Sequence, residues 1–85
     1  MTSAEIADSV EAFIREQFNV GDSDPGFDRH VDLFEGGYVD SVGVAELLEY
    51  VTQQFEVEIP ESDLFSDEFS TIDGIASIVA RLRNV

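Results

Sequence analysis

The stretch Gly37–Leu48, with the sequence GYVDSVGVAELL, determines the fold that we predict for this chain. From Val44 onward, apolar residues recur at the spacing that places them on one stripe of an α-helix. They are Val44, Leu47, Leu48, Val51 and Phe55. Ser41 stands where this helix begins, at the edge of the stripe and directly after a polar loop. The pattern therefore predicts a helix over residues 41–55 that presents a serine hydroxyl at its N-terminus.

A first amphipathic helix precedes this central one. Thr2 is followed three residues later by Glu5, which is the spacing of a capping box at a helix start. Apolar residues then follow at helical spacing: Ile6, Val10, Phe13, Ile14 and Phe18. We expect this helix to end near residues 19–21, where Gly21 can adopt the left-handed conformation of a helix C-terminus.

A long connection runs from about residue 21 to Asp40. It contains the turn signal Pro25-Gly26, and loops of this length are uncommon unless they are functional or anchored to the domain. The apolar residues that we expect to anchor it are Phe27, Val31, Leu33 and Phe34. The loop is therefore predicted to close over the helices.

The chain after the central helix predicts two more helices. Residues 56–59 alternate polar and apolar, but four residues with no second strand to pair with indicate an extended linker. Pro60 suits the first position of a short helix over residues 60–65. Ser70 or Thr71 then caps a last helix, with apolar residues at Ile72, Ile75, Ala76, Val79 and Leu82. The sequence thus predicts an all-α fold, a small up-and-down bundle of four helices, three long and one short, with a long first loop.

Length and charge limit the functions that the chain can have. Its 85 residues form one small domain, residues 1–85. The net charge of −15 makes nucleic acid a very poor partner, because the phosphate backbone is also negative. The chain has no cysteine, so the fold relies on neither disulfides nor a Cys-ligated metal, and we expect no metal site. No apolar run approaches a membrane span, so we expect no membrane partner. Since the N-terminus also lacks a basic and apolar leader, we expect a soluble cytoplasmic protein. We also expect a monomer.

In this setting the Asp40-Ser41 pair resembles the hallmark of the acyl and peptidyl carrier proteins, a serine after an aspartate at the start of the second helix. The resemblance covers about residues 31–82. The matching positions follow in family order: Leu33-Phe34, Gly37, Glu46-Leu47, Phe55, Ile59-Pro60, Leu64 and Ser70-Thr71-Ile72. One departure is Val42, where the family usually has leucine, and it leaves the attachment chemistry untouched.

The resemblance implies a covalent cofactor on Ser41. In the family, a phosphopantetheinyl transferase attaches 4′-phosphopantetheine from coenzyme A to this serine, and the terminal thiol holds a cargo as a thioester. The resemblance also implies that the chain is not an enzyme and that it passes acyl, aminoacyl or polyketide intermediates between biosynthetic enzymes. These cargoes are tethered identically, so the sequence leaves their identity open. We expect the carrier to be free-standing.

A docking surface is implied as well, since carriers of this kind meet loading and downstream enzymes through basic patches beside the active-site entrance. Glu46 and Glu49, on the central helix, are predicted to meet such patches together with Asp40. Val42 and Ala45 would supply the apolar part of the contact. The alternative for these acidic residues is a solvated surface, and in relatives the position of Glu49 is often apolar.

A serine at a helix start is most often only an N-cap. Two neighbours of Ser41 favour attachment instead. Asp40 is a better cap and stands immediately before it, and Gly43 lies in the first turn despite a helix penalty of about 1 kcal/mol. The missing side chain at Gly43 is expected to leave room for a group attached to Ser41.

Three other functions compete with this one. Residues 39–43 partly resemble the Gly-x-Ser-x-Gly elbow of serine hydrolases, but the first glycine is missing and the only base is His30, which we expect in an exposed loop. Residues 22–26 partly resemble a calcium-binding EF-hand loop, but its last position is Leu33 instead of glutamate. The third alternative is an acidic helical interaction module that works without phosphopantetheine.

Overall fold

The computed structural model describes residues 2–21 and 23–83, and its regular elements over this part of the chain are all helical. The elements are α1 (Ser3–Gln17), α2 (Ser41–Phe55), α3 (Glu61–Leu64), a 3₁₀ turn (Asp67–Ser70) and α4 (Ile72–Arg83). The predicted all-α bundle of three long helices and one short one, with a long first loop, is confirmed. The central helix has the predicted bounds.

α1 begins at the predicted capping box and ends earlier than predicted. The Thr2 hydroxyl accepts from the Glu5 N–H at 3.2 Å, and the Glu5 carboxylate accepts from the Thr2 N–H at 3.0 Å. The helix ends at Gln17, and the left-handed residue that follows is Asn19, with a φ of 56°, and not Gly21. Asparagine tolerates this conformation better than most side chains do. The prediction for Gly21 was therefore wrong.

The core lies between the inward stripes of the three long helices. α1 and α4 pack along each other, and α2 packs against α4. The fully buried side chains of these helices include Ile6, Val10, Ile14, Leu47, Val51, Phe55, Ile72, Ile75, Ile78 and Val79. Phe13 and Phe18 are partly buried against this core. The helical stripes that the sequence predicts are therefore the ones that pack.

The long first loop is anchored as predicted. Phe27 and Leu33 are buried, and Val31 and Phe34 pack partly against the core. The Leu33 N–H donates to the Ser70 carbonyl at 2.8 Å. This hydrogen bond ties the middle of the loop to the 3₁₀ turn, so the loop covers the end of the bundle from which α4 begins.

Two arginines tie the loop to α1. Arg15 donates to Glu11 at 3.0 Å and to the Gly21 carbonyl at 2.9 Å. Arg29, in the loop, donates to Glu11 at 2.8 Å and also to Asp8. The hydrogen bond from Arg29 lowers the pKa of the Glu11 carboxyl below its ordinary value, and burial opposes this only in part.

α4 begins at Ile72, and Thr71 is the one of the two predicted caps that is used. The Thr71 hydroxyl accepts from the Gly74 N–H at 2.9 Å. A Cβ on Gly74 would lie 1.7 Å from the Glu68 carbonyl oxygen, so only glycine lets the 3₁₀ turn pack against this helix. The 3₁₀ turn itself was not predicted, because four residues are too few to show a period.

The segment between α2 and α3 is the extended linker that was predicted, and it forms no strand with any described residue. Glu56 follows α2 in the left-handed conformation, with a φ of 53°. Pro60 was predicted to be the first residue of the short helix. It instead lies directly before α3, as its N-cap. Arg83 of α4 donates to the Phe55 carbonyl at 2.6 Å, which satisfies a carbonyl at the end of α2.

Candidate functional site

α2 begins with Asp40 as its N-cap. The Asp40 carboxylate accepts from the Gly43 N–H at 2.7 Å, and the Asp40 carbonyl accepts from the Val44 N–H at 2.9 Å. Asp40 is otherwise exposed. Because Asp40 satisfies an N–H group that a helix start leaves unpaired, Ser41 is not needed as the cap.

Ser41 is the first residue of α2, and its side chain is exposed. Its hydroxyl forms no hydrogen bond with any residue in the described part of the chain. The N–H groups of the first turn and the positive end of the helix dipole lie beside it. A phosphate bonded to this hydroxyl would be stabilised at that position, so the residues present fit a phosphate-linked group.

Gly43 is buried, and the position of its missing Cβ faces the protein interior. A Cβ there would lie 2.7 Å from Cε1 of Phe18 and 3.0 Å from Cγ1 of Val39. The expectation that Gly43 leaves room for a group on Ser41 was therefore wrong. The missing side chain instead lets Phe18 pack beneath the first turn of α2, which fixes the position of the helix start.

The predicted docking residues of α2 lie on one side of the helix. Val42, Ala45, Glu46 and Glu49 have the i, i+3, i+4, i+7 spacing of one helix face. Val42 keeps 66% of its surface exposed, and Ala45 and Glu49 are exposed as well. Glu46 is half-buried, and its carboxylate accepts from Nε2 of Gln17 at 2.7 Å. The helix thus presents an acidic surface with an apolar part next to its first residue.

A cavity of about 440 Å³ lies between the first loop, α2 and the segment from α3 to the 3₁₀ turn. Val44 of α2 lines it, one helical turn after Ser41. Phe65 also lines it and keeps 81% of its surface exposed. Neither the cavity nor the exposed aromatic ring was predicted, because periodicity assigns the faces of helices and not the gaps between packed elements.

His30 forms no hydrogen bond with Ser41. Its side chain is exposed, as expected, and its Nδ1 lies 3.1 Å from a carboxylate oxygen of Asp73 at the start of α4. Within the described residues, no base stands within hydrogen-bond distance of the Ser41 hydroxyl. The geometry of a serine hydrolase, in which the nucleophile is paired with a base, is therefore not formed here.

Two further points concern metals and membranes. In the part of the chain that the structure describes, no three His, Cys, Asp or Glu side chains are grouped so that they could hold a metal ion. Asp22, the first residue of the segment that partly resembles a calcium loop, lies outside the described residues. Within residues 2–21 and 23–83, no helix is long and apolar enough to cross a membrane.

Comparison with known families agrees with this geometry. The chain is a small helical bundle in which an exposed serine, which does not cap the helix, begins the second long helix. Residues 8–79 match the family model described as a phosphopantetheine attachment site. The chain belongs to this family, and its cofactor is covalently bound 4′-phosphopantetheine. The resemblance to the acyl and peptidyl carrier proteins is confirmed.

Several curated proteins that are similar to this chain are carriers. The chain is 36% identical over 53 residues to the D-alanyl carrier protein of Streptococcus sanguinis (strain SK36), and the match covers 62% of this chain and 67% of that protein. It is 34% identical over 53 residues to the D-alanyl carrier proteins of Streptococcus mutans and Streptococcus uberis, with the same coverage. No solved structure matches the chain significantly.

Proposed function

We propose that Ser41 is the residue that holds 4′-phosphopantetheine in this carrier protein. The observation that supports this most is the division of roles at the start of α2. Asp40 caps the helix, accepting from the Gly43 N–H at 2.7 Å, while the exposed Ser41 hydroxyl has no partner among the described residues. An attachment site needs a side chain that a modifying enzyme can reach and that the fold does not use. Ser41 meets both conditions.

The residues around Ser41 suit the attached group. The first turn of α2 offers backbone N–H groups and the positive end of the helix dipole, which favour the phosphate. When bound, phosphopantetheine supplies a flexible arm whose terminal thiol holds a cargo as a thioester. Phe18, packed against Gly43, keeps the helix start in place beneath that arm. Carrier proteins are generally not catalysts, and we propose that this chain likewise only presents its cargo at high effective concentration to successive enzymes.

We propose that the cargo is an amino acid. The relatives from Streptococcus sanguinis and Streptococcus mutans are D-alanyl carrier proteins, and D-alanine is an amino acid. The partners are then a phosphopantetheinyl transferase, an enzyme that activates the amino acid and loads the carrier, and an enzyme that consumes the cargo. The monomeric state, the free-standing single domain over residues 1–85 and the cytoplasmic location stay predictions.

We further propose that these enzymes dock on the exposed side of α2. Asp40, Glu46 and Glu49 offer negative charge, and Val42 and Ala45 offer apolar area beside the attachment site. An enzyme that reaches the attachment site must bring the rim of its active site over these residues. The net charge of −15 favours partners whose rim is basic, because complementary charge speeds the encounter.

The test is intact-mass spectrometry after incubation with coenzyme A and a broad-specificity phosphopantetheinyl transferase. We expect wild type to gain one phosphopantetheine and Ser41→Ala to gain none. Ser62→Ala is the matched control, because Ser62 is also exposed at a helix but lies in α3, and it should be modified like wild type. If wild type stayed unmodified with several transferases, the acidic interaction module without phosphopantetheine would replace this proposal.

A further inference from the structure

The segment that leads into Ser41 closes back on Leu33. The Leu33 carbonyl accepts from the N–H groups of Tyr38 and Val39 at 3.0 Å each. Gly37, with a φ of 81°, lets the chain reverse its direction just before them. The Val39 side chain is buried, and the Tyr38 side chain is half-buried. The backbone before α2 is therefore a tight turn, and it carries the ring of Tyr38.

The ring of Tyr38 packs between two glycines of the first loop. A Cβ on Gly26 would lie 3.0 Å from the Tyr38 hydroxyl oxygen, and a Cβ on Gly36 would lie 3.1 Å from Cε2 of the ring. Both distances are shorter than ordinary van der Waals contact, so a side chain at either position would crowd the ring. Gly26 belongs to the first half of the loop and Gly36 to the second. The ring of Tyr38 therefore joins the two halves.

Two more contacts hold Tyr38 to the first half of the loop. The rings of Tyr38 and Phe27 lie edge to face, with their centroids 5.0 Å apart, which is an arrangement that aromatic pairs prefer. The Tyr38 hydroxyl donates to the Asp24 carboxylate at 3.3 Å. Burial raises the pKa of the Tyr38 hydroxyl, and the negative charge of Asp24 raises it further. The hydroxyl therefore stays protonated, and can donate, at neutral pH.

The contacts continue from Phe27 to α1. The guanidinium carbon of Arg15 lies 4.7 Å from the centre of the Phe27 ring, within the range of a cation–π interaction. We call Arg15, Phe27 and Tyr38 the loop clasp. It connects α1 to a residue that lies three positions before Ser41. The position of the segment before Ser41 thus depends on a residue of the first helix.

We infer that Tyr38 is a positioning residue for the attachment of phosphopantetheine. The inference rests on the proposed attachment at Ser41. In that reaction the Ser41 oxygen bonds to the phosphorus that bears pantetheine and the pyrophosphate bond of coenzyme A breaks. Adenosine 3′,5′-bisphosphate leaves, and the hydroxyl proton passes to a base of the transferase. The reaction slows steeply when the reacting atoms are displaced, so the transferase needs the start of α2 in one position.

Tyr38 acts through the segment between it and Ser41. Residues 39 and 40 lie outside any helix, so no helical hydrogen bonds hold them in place. The closed clasp and the turn at Leu33 give this segment one conformation, and an open clasp allows others. Only the clasped conformation presents Ser41 for reaction. Tyr38 therefore sets the fraction of the protein that the transferase can modify.

This role predicts a change in KM without a change in kcat. When only part of a protein population is competent to bind, the apparent affinity falls in proportion to that part. Loss of an aromatic pair changes a conformational equilibrium by about 2- to 12-fold. Tyr38→Ala should therefore raise the KM of the transferase for the carrier by about this factor, with kcat close to wild type. Tyr38→Phe keeps the ring and should keep most of the wild-type KM.

The experiment begins with intact mass, which confirms that wild type is modified and that Ser41→Ala is not. Initial rates are then measured with the carrier as the varied substrate, and circular dichroism confirms that each variant is folded at the assay temperature. Tyr38→Leu takes the place of Tyr38→Ala if the alanine variant does not fold, since it also lacks the ring and the hydroxyl. Leu82→Ala is the matched control, because it removes a partly buried apolar side chain from the last turn of α4. Its KM should stay at the wild-type value.

Amide hydrogen exchange reports on the clasp without a transferase. The Phe27 N–H donates to the Asp24 carbonyl at 3.3 Å and the Val39 N–H donates to the Leu33 carbonyl, so they report on the two halves of the loop. In Tyr38→Ala or Tyr38→Leu, the protection factors of these two amides should fall by about 2- to 12-fold more than that of Ile78 in α4. A general loss of stability would lower all three equally.

An unchanged KM in a folded variant without the ring would overturn the inference, and so would an equal rise of KM in Leu82→Ala. Tyr38→Phe with the KM of Tyr38→Ala would overturn the role of the ring. Protection factors of Phe27 and Val39 that fall no more than that of Ile78 would overturn the clasp itself. An absence of modification of wild type in the first step would instead overturn the proposed function, and the positioning role with it.

Discussion

The starts of α2 and α4 share one local arrangement and differ in what surrounds it. At each start a side chain accepts from the N–H of a glycine three residues later, Asp40 from Gly43 at 2.7 Å and Thr71 from Gly74 at 2.9 Å. At each start a Cβ on the glycine would meet a neighbouring atom, at 2.7 Å in α2 and at 1.7 Å in α4. The cap and the glycine are therefore a way of starting a helix against packed neighbours.

The residue directly after the cap is where the two starts differ. Ile72 is fully buried, and the first loop covers the start of α4, with the Asp73 N–H donating to the Arg29 carbonyl at 3.1 Å. Ser41 is exposed, and the neighbouring Val42 keeps 66% of its surface exposed. We propose that this exposed first residue lets the start of α2 receive a covalent group, whereas the start of α4 only supports the core.

The largest expected effect comes from placing alanine at the two glycines. In Gly74→Ala the new Cβ meets a backbone oxygen of Glu68, which cannot move unless the 3₁₀ turn shifts, whereas in Gly43→Ala it meets the ring of Phe18, which can adjust. We expect Gly74→Ala to lower the free energy of unfolding by about 3 kcal/mol and Gly43→Ala by about 1 kcal/mol. Urea unfolding followed by circular dichroism measures both values.

Gly21→Ala is the control for these two variants. Nothing lies within 4 Å of a Cβ at Gly21, so its free energy of unfolding should change by less than about 0.5 kcal/mol. Equal losses in Gly43→Ala and Gly74→Ala would show that contact with a backbone atom is no worse than contact with a mobile ring. The proposed difference in packing between the starts of α2 and α4 would then be wrong.

Removal of the caps should have a smaller effect that is similar at both starts. Asp40→Ala and Thr71→Ala each leave a glycine N–H without its partner, at a cost of about 1 kcal/mol in unfolding free energy. Asp40→Asn and Thr71→Ser keep an accepting oxygen and should stay close to wild type. The same urea titration measures all four variants. If only one of the two alanine variants lost unfolding free energy, the two caps would not have the same role.

A weaker, pH-dependent effect concerns the loop that covers the start of α4. Arg29 of that loop donates to Glu11 at 2.8 Å and lowers its pKa. The ionised carboxylate therefore stabilises the fold above the ordinary pKa of 4.5, and this contribution is lost as the pH falls through the lowered folded-state value. We expect Glu11→Gln to cost about 0.5 kcal/mol at neutral pH, because solvent screens the pair, and much less in strong acid.

Acid also relieves the repulsion that arises from the net charge of −15. The quantity to measure is therefore the difference in unfolding free energy between wild type and Glu11→Gln at each pH, since the repulsion is nearly the same in both. A difference that stays constant from neutral pH into strong acid would show that the charge of Glu11 does not hold the loop.

The smallest expected effect on stability comes from variants of the acidic surface beside the exposed start of α2. Glu46→Lys and Glu49→Lys should each slow modification by the transferase by up to about fivefold, because exposed pairs contribute only about 0.2 to 1 kcal/mol. Melting temperatures should stay close to wild type. Glu16→Lys and Glu58→Lys, at exposed positions outside this surface, are the controls. Equal slowing at all four positions would mean that total charge, and not a docking surface, guides the enzyme.

Local signals in the sequence predicted much of the fold. The capping box of Thr2 and Glu5, and the apolar stripe from Val44 to Phe55, act within a few residues of one helix, so they can be identified without knowledge of the rest of the chain. The Asp40-Ser41 pair is local in the same way. The bounds of α2 and the capping role of Asp40 could be predicted for this reason, and the role of Ser41 stays a prediction.

Features that depend on distant residues were missed or misinterpreted. The missing Cβ of Gly43 faces Phe18, which directly follows α1 and is distant in the chain, so the purpose of this glycine could not be found from its sequence neighbours. The cavity and the exposure of Phe65 depend on how the first loop packs against α2. The left-handed residue after α1 is Asn19, whereas Gly21 was predicted. Both residue types tolerate this conformation, so the sequence alone could not decide between them.

The proposed function requires that the exposed hydroxyl at the start of α2, and no other, receives the cofactor. Tandem mass spectrometry of the wild-type protein, after reaction with coenzyme A and a transferase, locates the added group along the chain. We predict phosphopantetheine on Ser41 alone. Phosphopantetheine on Ser70 or Thr71, the hydroxyls at the start of α4, or on any other residue in place of Ser41, would contradict it.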